Sequence, residues 1–423
     1  MITHLAITKY NARAPIPKGL GEWFFALFLF AGYYKADPRF AFIQTYIDLT
    51  LLFLFLSFLV FLRRLLKEPF VQKMPAGFVK VATFFLLLAA CLLGGLFITQ
   101  SEGYGFDKTV RFIVLTGWAF FGTAFLITDY LSLRSFSWAV VTISTMMAID
   151  ALLNYPGVGK IGFVTALGSN YIALARAGGL GLLATLVFLL PTERKPLAKC
   201  CLWGIAVLQT WATLSAGARG PVLALVISLL VFFALSVWGF PHLKVERFSL
   251  KLSMVLLIAV VLVTTVAQEL FSTFLFRMQV LTTYLGESAA MRLDLYQEAL
   301  RLWVGSPIWG VGTGGFAVAV TGSEFIREYP HNIVLELAAE TGLLGVLVLG
   351  MMIFTAFSIG LASIKNSSGL ARITARYLLV SACFALLNAM VSGDINDNRM
   401  LFTYLGLIAI TTRFEYGGEK LHR

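Results

Sequence analysis

Charge is what this chain has least of. Only 13% of its 423 residues are Asp, Glu, Lys or Arg, where an average soluble domain has about 25%. Hydrophobic residues make up 59%, and the mean hydropathy is +0.84. The length alone would permit several soluble domains, but this composition excludes them and leaves an all-α integral membrane protein with many spans. Among the few charges, 33 basic residues face 22 acidic ones. In a membrane protein such a surplus reflects basic cytoplasmic loops and an affinity for anionic lipid or phosphate. The 37 Phe fall inside the apolar runs, where lipid and helix packing account for them, so nucleic-acid binding is excluded.

Cysteine is scarce as well. Cys91, Cys200, Cys201 and Cys383 lie within or at the edges of apolar spans. They show no metal-ligand spacing, and no pair falls in an exposed loop, which argues against a disulfide framework. No compact acidic metal-binding set is visible and no cofactor is expected. The nearest set is Asp394-Ile-Asn-Asp397, which could equally hold an arginine or His331. The chain has no repeat of fixed period and no low-complexity tract. Residues 1–20 lack a cleavable-signal pattern, so the first span is expected to act as its own insertion signal.

A span needs about 20 apolar residues. That rule places candidates at 22–34, 41–62, 78–99, 109–128, 134–153, 170–190, 197–214, 219–239, 249–267, 332–363, 372–392 and 399–413. Twelve spans put both termini on one side. With that side cytoplasmic, 21 of the 33 basic residues fall inside, and short loops such as Arg63-Arg64 and Glu193-Arg194-Lys195 obey the positive-inside rule. The expected organisation is then spans one to nine over 1–267, a helical loop region over 268–331, and three spans with a short tail over 332–423. The loop region would face the outside, the periplasm of a bacterium.

Arg219 breaks the orientation pattern. It sits in Ser215-Ala-Gly-Ala-Arg219-Gly220-Pro221, a tight outer connection. An arginine beside a helix N-terminus adds positive charge to a positive pole, which suggests an anion between them. Snorkelling to lipid headgroups is the alternative.

Residues 287–345 form the one sizeable polar interruption. Gln268–Leu285, with Phe271, Phe274, Phe276 and Arg277, reads as a helix at the membrane surface. Glu287–Trp303 reads as an amphipathic helix, packing through Leu295, Leu302 and Trp303 and carrying Arg292 and Arg301. Those arginines either bind an anion or join intrahelical ion pairs. Gly310-x-Gly312-x-x-Gly315 has the spelling of a dinucleotide fingerprint without the βαβ frame, so only a close-approach turn is expected. His331 follows Pro330 and opens a long apolar helix. It is either a helix cap or a proton acceptor near neutral pH. Glu336 and Glu340 lie inside that helix, where carboxylates are expensive and mark function. Gly342 and Gly345 suit close helix contact.

His331-Asn332, nine residues, Gly342, two residues, Gly345 resembles the motif of the O-antigen ligase and polymerase superfamily. The Arg-Gly at an outer span end, the arginine-bearing loop helix and Pro-Ile-Trp-Gly-Val-Gly occur in the matching order. The resemblance covers roughly 210–400, and the single large loop between spans nine and ten is most similar to the ligases. It implies a GT-C-like fold of about twelve spans in the bacterial inner membrane, and a metal-independent, inverting glycosyltransferase. The donor would be an undecaprenyl-diphosphate-linked O-antigen, and the acceptor a sugar hydroxyl of lipid A–core. His331 would be the general base, with Arg219 and Arg292 on the diphosphate. Arg277, Arg301, Asn332, Glu340, Asp394 and Arg399 would be secondary contacts. A polymerase that extends a second lipid-linked glycan is the nearest rival. A lipid-linked-oligosaccharide transporter is a more distant one, since neither inverted repeats nor broken helices are visible.

Overall fold

The computed structural model describes residues 19–67, 74–157, 160, 162–237, 272, 275–276, 279 and 287–415. Most of the segment between 238 and 286, which includes the expected ninth span and Arg277, lies outside the described residues. So do both termini. The described chain is all-helical, as composition requires. Nine of its helices are long and apolar enough to cross a membrane: α2 (Leu49–Lys67), α3 (Ala76–Gly95), α4 (Tyr104–Leu126), α5 (Tyr130–Leu153), α6 (Tyr171–Thr192), α7 (Pro196–Ser215), α8 (Arg219–Val237), α11 (Ile333–Asn366) and α12 (Gly369–Ala389). Two shorter apolar helices, α1 (Leu20–Tyr34) and α13 (Arg399–Ala409), accompany them. Between α8 and α11 lie α9 (Glu287–Gly305) and α10 (Gly315–Thr321).

The short helices are tolerated because protein surrounds them. Every residue of α13 from Met400 to Ala409 is buried, so its backbone is shielded without matching the bilayer thickness. The second span starts at Leu49, eight residues later than hydropathy places it. Asp48 explains the shift: its Oδ1 accepts from Thr50 N (2.7 Å) and Leu51 N (3.2 Å), an N-terminal cap that hydropathy does not register.

The bundle is centred on α6, which packs on α5 and α7. Its small residues allow close approach: Gly179 faces the Phe384 ring, and Gly181 faces Ser144 and Gln209. Gln209 joins the three helices, donating to Ser144 Oγ (2.9 Å) and accepting from Thr185 Oγ1 (3.0 Å). α3 packs along α11, α8 along α12, and α4 along α13. Stacked rings of Phe85, Phe112 and Phe120, with centroids 4.9–5.1 Å apart, fill the space beside α13.

Polar groups gather at the two ends. At one end Arg64 bonds Glu22 (3.1 Å) and Leu126 O (2.9 Å), and Arg134 bonds Glu193 (2.9 Å). At the other, Lys35 meets Asp48 (2.7 Å), and Arg39 bridges Asp37 and Asp150. This second end carries α9, α10, the 322–332 loop and the 390–398 turn.

Candidate functional site

Tyr329-Pro330-His331-Asn332 leads into α11 through two opposed backbone states. Asn332 is extended, and its Oδ1 accepts from Val334 N (3.0 Å) and Leu335 N (3.2 Å), so it caps the helix. His331, one residue earlier, lies at φ +57°, a left-handed state that non-glycine residues rarely adopt. The ring is half-buried, and Tyr329 stands edge-on to it at 4.4 Å. Its Nδ1 is buried and has no hydrogen-bond partner among the described residues. Burial, then the charges of Arg292 and Arg176, push the imidazole pKa down to about 4, against a smaller upward pull from Asp394. At neutral pH the ring is uncharged and holds a free lone pair.

The three charges that bear on His331 arrive from three separate places. Arg292 is half-buried on α9, whose face of Leu295, Ala299 and Leu302 packs with Phe316 and Ala339. Arg301 lies on the opposite, exposed side of α9, 2.7 Å from Glu298, in the intrahelical pair that was the alternative reading. Arg176 comes from the buried α6 and donates to Asn388 O (3.0 Å) and Ser392 O (2.7 Å). Asp394 lies in the 390–398 turn, where its Oδ1 accepts from Asp397 N (2.7 Å) and its carbonyl from Asn398 Nδ2 (2.7 Å).

That turn is the meeting point of this end of the bundle. Asn396 donates to Lys108 O (3.0 Å) on α4 and accepts from Thr116 Oγ1 (3.2 Å), within a wider π turn at Phe112–Thr116. Arg399 donates from Nε to Asn396 O (3.1 Å) and covers the Phe28 ring at 5.7 Å, with Nη1 buried and unpartnered among the described residues. The Tyr296 hydroxyl on α9 lies 3.5 Å from Met390 O. A β-carbon on Gly220 would stand 3.0 Å from Val391, which sets the N-terminus of α8, and with it Arg219, beside the same turn. Asp397 stays exposed along a narrow cleft that Tyr33, Arg176, Asn388 and Asn398 also line.

The glycines have a role different from helix–helix contact. Gly342 breaks α11 at φ 64°, ψ −158°, so a broken helix is present where the sequence pattern showed none, and its expected absence no longer counts against a transporter. The break frees the carbonyls of Ala339 and Glu340, which accept from Val311 N (2.8 Å) and Gly312 N (3.0 Å), while Leu343 N donates to Pro307 O (2.8 Å). A β-carbon on Gly310 would meet Ala339 O at 2.5 Å, and one on Gly342 would collide with the Ile308 carbonyl. The 310–316 turn is therefore inserted against the broken helix by its backbone. Thr313 continues the insertion, donating to Leu92 O (2.7 Å) beside Gly95 and Gly105. Farther along, Glu324 accepts from Ser101 Oγ (2.7 Å), Gly103 N (2.9 Å) and Tyr104 N (3.1 Å). These donors hold its carboxyl below the usual pKa range, and the contact fixes the loop ahead of His331 to the start of α4.

Glu340 is placed in a buried ion triad, with Lys108 Nζ 2.7 Å from it and 2.6 Å from Glu336. The geometry thus brings His331, Arg292 and Asp394 into one field, sets Arg219 and Arg399 beside the shared turn, and directs Asn332 and Glu340 to structural bonds. Two members went unread in the sequence, Arg176 and Lys108. The signal was present for Arg176, a lone charge within an apolar span, whereas Lys108 stands between Asp107 and Arg111 at the edge of one.

Residues 204–350 match the family model described as O-antigen ligase. The matched segment contains Arg219, Arg292 and His331, while Lys108, Arg176 and the 390–398 turn lie outside it. No curated protein matches the chain.

Proposed function

We propose that this multi-pass membrane protein, whose residues 204–350 match the O-antigen ligase family, transfers glycan from undecaprenyl diphosphate to a sugar hydroxyl of lipid A–core. In this reading the end of the bundle carrying His331 faces the periplasm of a bacterial inner membrane, and both termini are cytoplasmic. The acceptor oxygen attacks the anomeric carbon opposite the diphosphate. A new C–O bond forms as the sugar–phosphate bond breaks, with inversion. The hydroxyl proton passes to His331, and the lipid diphosphate departs with its added charge held by arginine. Arg292 and Arg219 take the diphosphate, joined by Arg176, so guanidinium groups supply the charge stabilisation without a divalent metal.

The supporting observation is the state of His331: uncharged, with a buried unpaired nitrogen, in the field of two arginines from different helices. Without substrate, burial and then that field make the imidazole a weak base. A bound diphosphate would offset the arginines and raise its proton affinity, so the base would strengthen when the donor is in place. The test is transfer in vesicles supplied with donor and lipid A–core. His331→Gln is expected to abolish transfer and keep donor binding, and retained transfer would overturn the assignment.

The polymerase reading shares every one of these residues and differs only in acceptor. The single large outer excursion favours the ligase. Offering both acceptors separates the two, according to whether lipid A–core or a second lipid-linked glycan is extended.

A further inference from the structure

The ion triad at the head of α11 lies outside the machinery proposed above. Its three side chains, Lys108, Glu336 and Glu340, are each 1% exposed. One ammonium faces two carboxylates in this buried cluster. Glu340 Oε1 has no hydrogen-bond partner among the described residues. Buried ion clusters are seldom more stabilising than well-packed apolar side chains of the same volume. Stability alone is therefore a poor reason for this one.

What distinguishes Lys108 is that it ties two segments together. Its ammonium holds Glu336 and Glu340, on the first turns of the helix that His331 precedes. Its carbonyl accepts from Asn396 Nδ2 at 3.0 Å, in the turn that carries Asp394. The Tyr104 ring lies under the ammonium at 5.8 Å and Asn396 is wholly buried, which leaves little play in either link. We propose that Lys108 is a positioning residue of the site: it sets the spacing between His331 and Asp394 by tying α11 to the 390–398 turn. The proposal rests on His331 acting in transfer.

The experiment measures transfer by the full chain in vesicles, with kcat, donor KM and the pH profile, for Lys108→Met, Lys108→Arg and Asn396→Ala. Lys108→Met and Asn396→Ala cut the link from its two ends, so they share one phenotype. kcat falls at least about tenfold, toward the hundredfold that a misplacement of about 1 Å entails, while donor KM changes little. With Asp394 displaced, the field on His331 comes from Arg292 and Arg176 alone, and the acid limb of the profile moves to lower pH. Lys108→Arg restores part of the rate. If Lys108→Met does not accumulate as folded protein, the uncharged Lys108→Met/Glu336→Gln/Glu340→Gln variant takes its place. Wild-type kcat and pH profile in folded Lys108→Met (or its substitute) and Asn396→Ala overturn the proposal. So does a loss of activity that only follows a lowered Tm with the profile unmoved. The premise is tested separately: transfer retained by His331→Gln removes the base reading, whatever the Lys108 variants do.

Discussion

The ring of Tyr329 stands against that of His331 with centroids 4.4 Å apart and an interplanar angle of 61°. Such edge-on contacts contribute about 0.5–1.5 kcal/mol beyond area burial, enough to hold an imidazole whose own backbone is strained. Tyr329→Ala is expected to lower transfer by up to roughly tenfold, and Tyr329→Phe to stay near wild type. Equal losses in both variants would assign the role to the hydroxyl, which burial and the nearby Asp397 keep protonated.

The pKa of His331 ties stability to pH with a definite sign. The folded value is about 4, below the 6.5 of an unfolded chain. As pH falls from 6.5 toward 4, the unfolded state takes up a proton that the folded state refuses, so stability declines across that window. His331→Gln lacks this loss. Tm measured from pH 7 to 4 should therefore fall less steeply in the variant, and parallel curves would refute the assignment.

Gly342 and Gly350 lie in the same helix and should respond oppositely to alanine. At Gly342 the dihedrals belong to glycine alone and the Ile308 backbone occupies the β-carbon position, so Gly342→Ala is expected to destabilise by about 3 kcal/mol or more. At Gly350 nothing stands within 4 Å, and alanine should stabilise by about 0.5–1 kcal/mol. Thermal melts of the two purified variants decide the matter.

Arg176 serves two carbonyls, those of Asn388 and Ser392. Arg176→Met removes the charged donor from each, leaving Val391 N (3.2 Å) on Asn388 O and Asn398 Nδ2 (3.3 Å) on Ser392 O, at about 1.5–3 kcal/mol for each charge-assisted bond lost. Under the proposed function it also weakens donor binding. Arg176→Lys keeps the charge and loses the planar fork, so it should recover donor affinity better than Tm. A variant that binds undecaprenyl diphosphate like wild type would confine Arg176 to structure.

Asn332→Ala removes the cap of α11 and is expected to lower stability by about 0.5–2 kcal/mol. Asn332→Asp keeps an acceptor at the same place and should recover most of it. Chemical denaturation of the three proteins in one detergent makes the comparison.

Among the described residues hydropathy was enough to place the long apolar helices, because a bilayer leaves a chain little freedom in where it crosses. It missed the start of α2, where the side chain of Asp48 sets the boundary. His331, Arg292 and Asp394 stood out as polar residues in polar surroundings. Arg176 and Lys108 did not: Arg176 is one letter in an apolar run, Lys108 is one of three charges at a span's edge, and their partners are backbone carbonyls or residues more than 200 positions away. The function of Gly342 was out of reach for a related reason: a two-glycine spacing reads as helix contact, and only the carbonyls of Ala339 and Glu340 reveal a break filled by another segment.

The insertion of Thr313 between Gly95 and Gly105 limits how the 307–316 segment can be exchanged between relatives. A transplanted 307–316 segment brings its own backbone shape, yet its seat is built by two glycines on other helices and by the break at Gly342. A β-carbon at any of the three would block the seat from the host's side. The segment would then be transferable only in chimaeras that carry matching residues at 95, 105 and 342, and an excised loop has no seat at all.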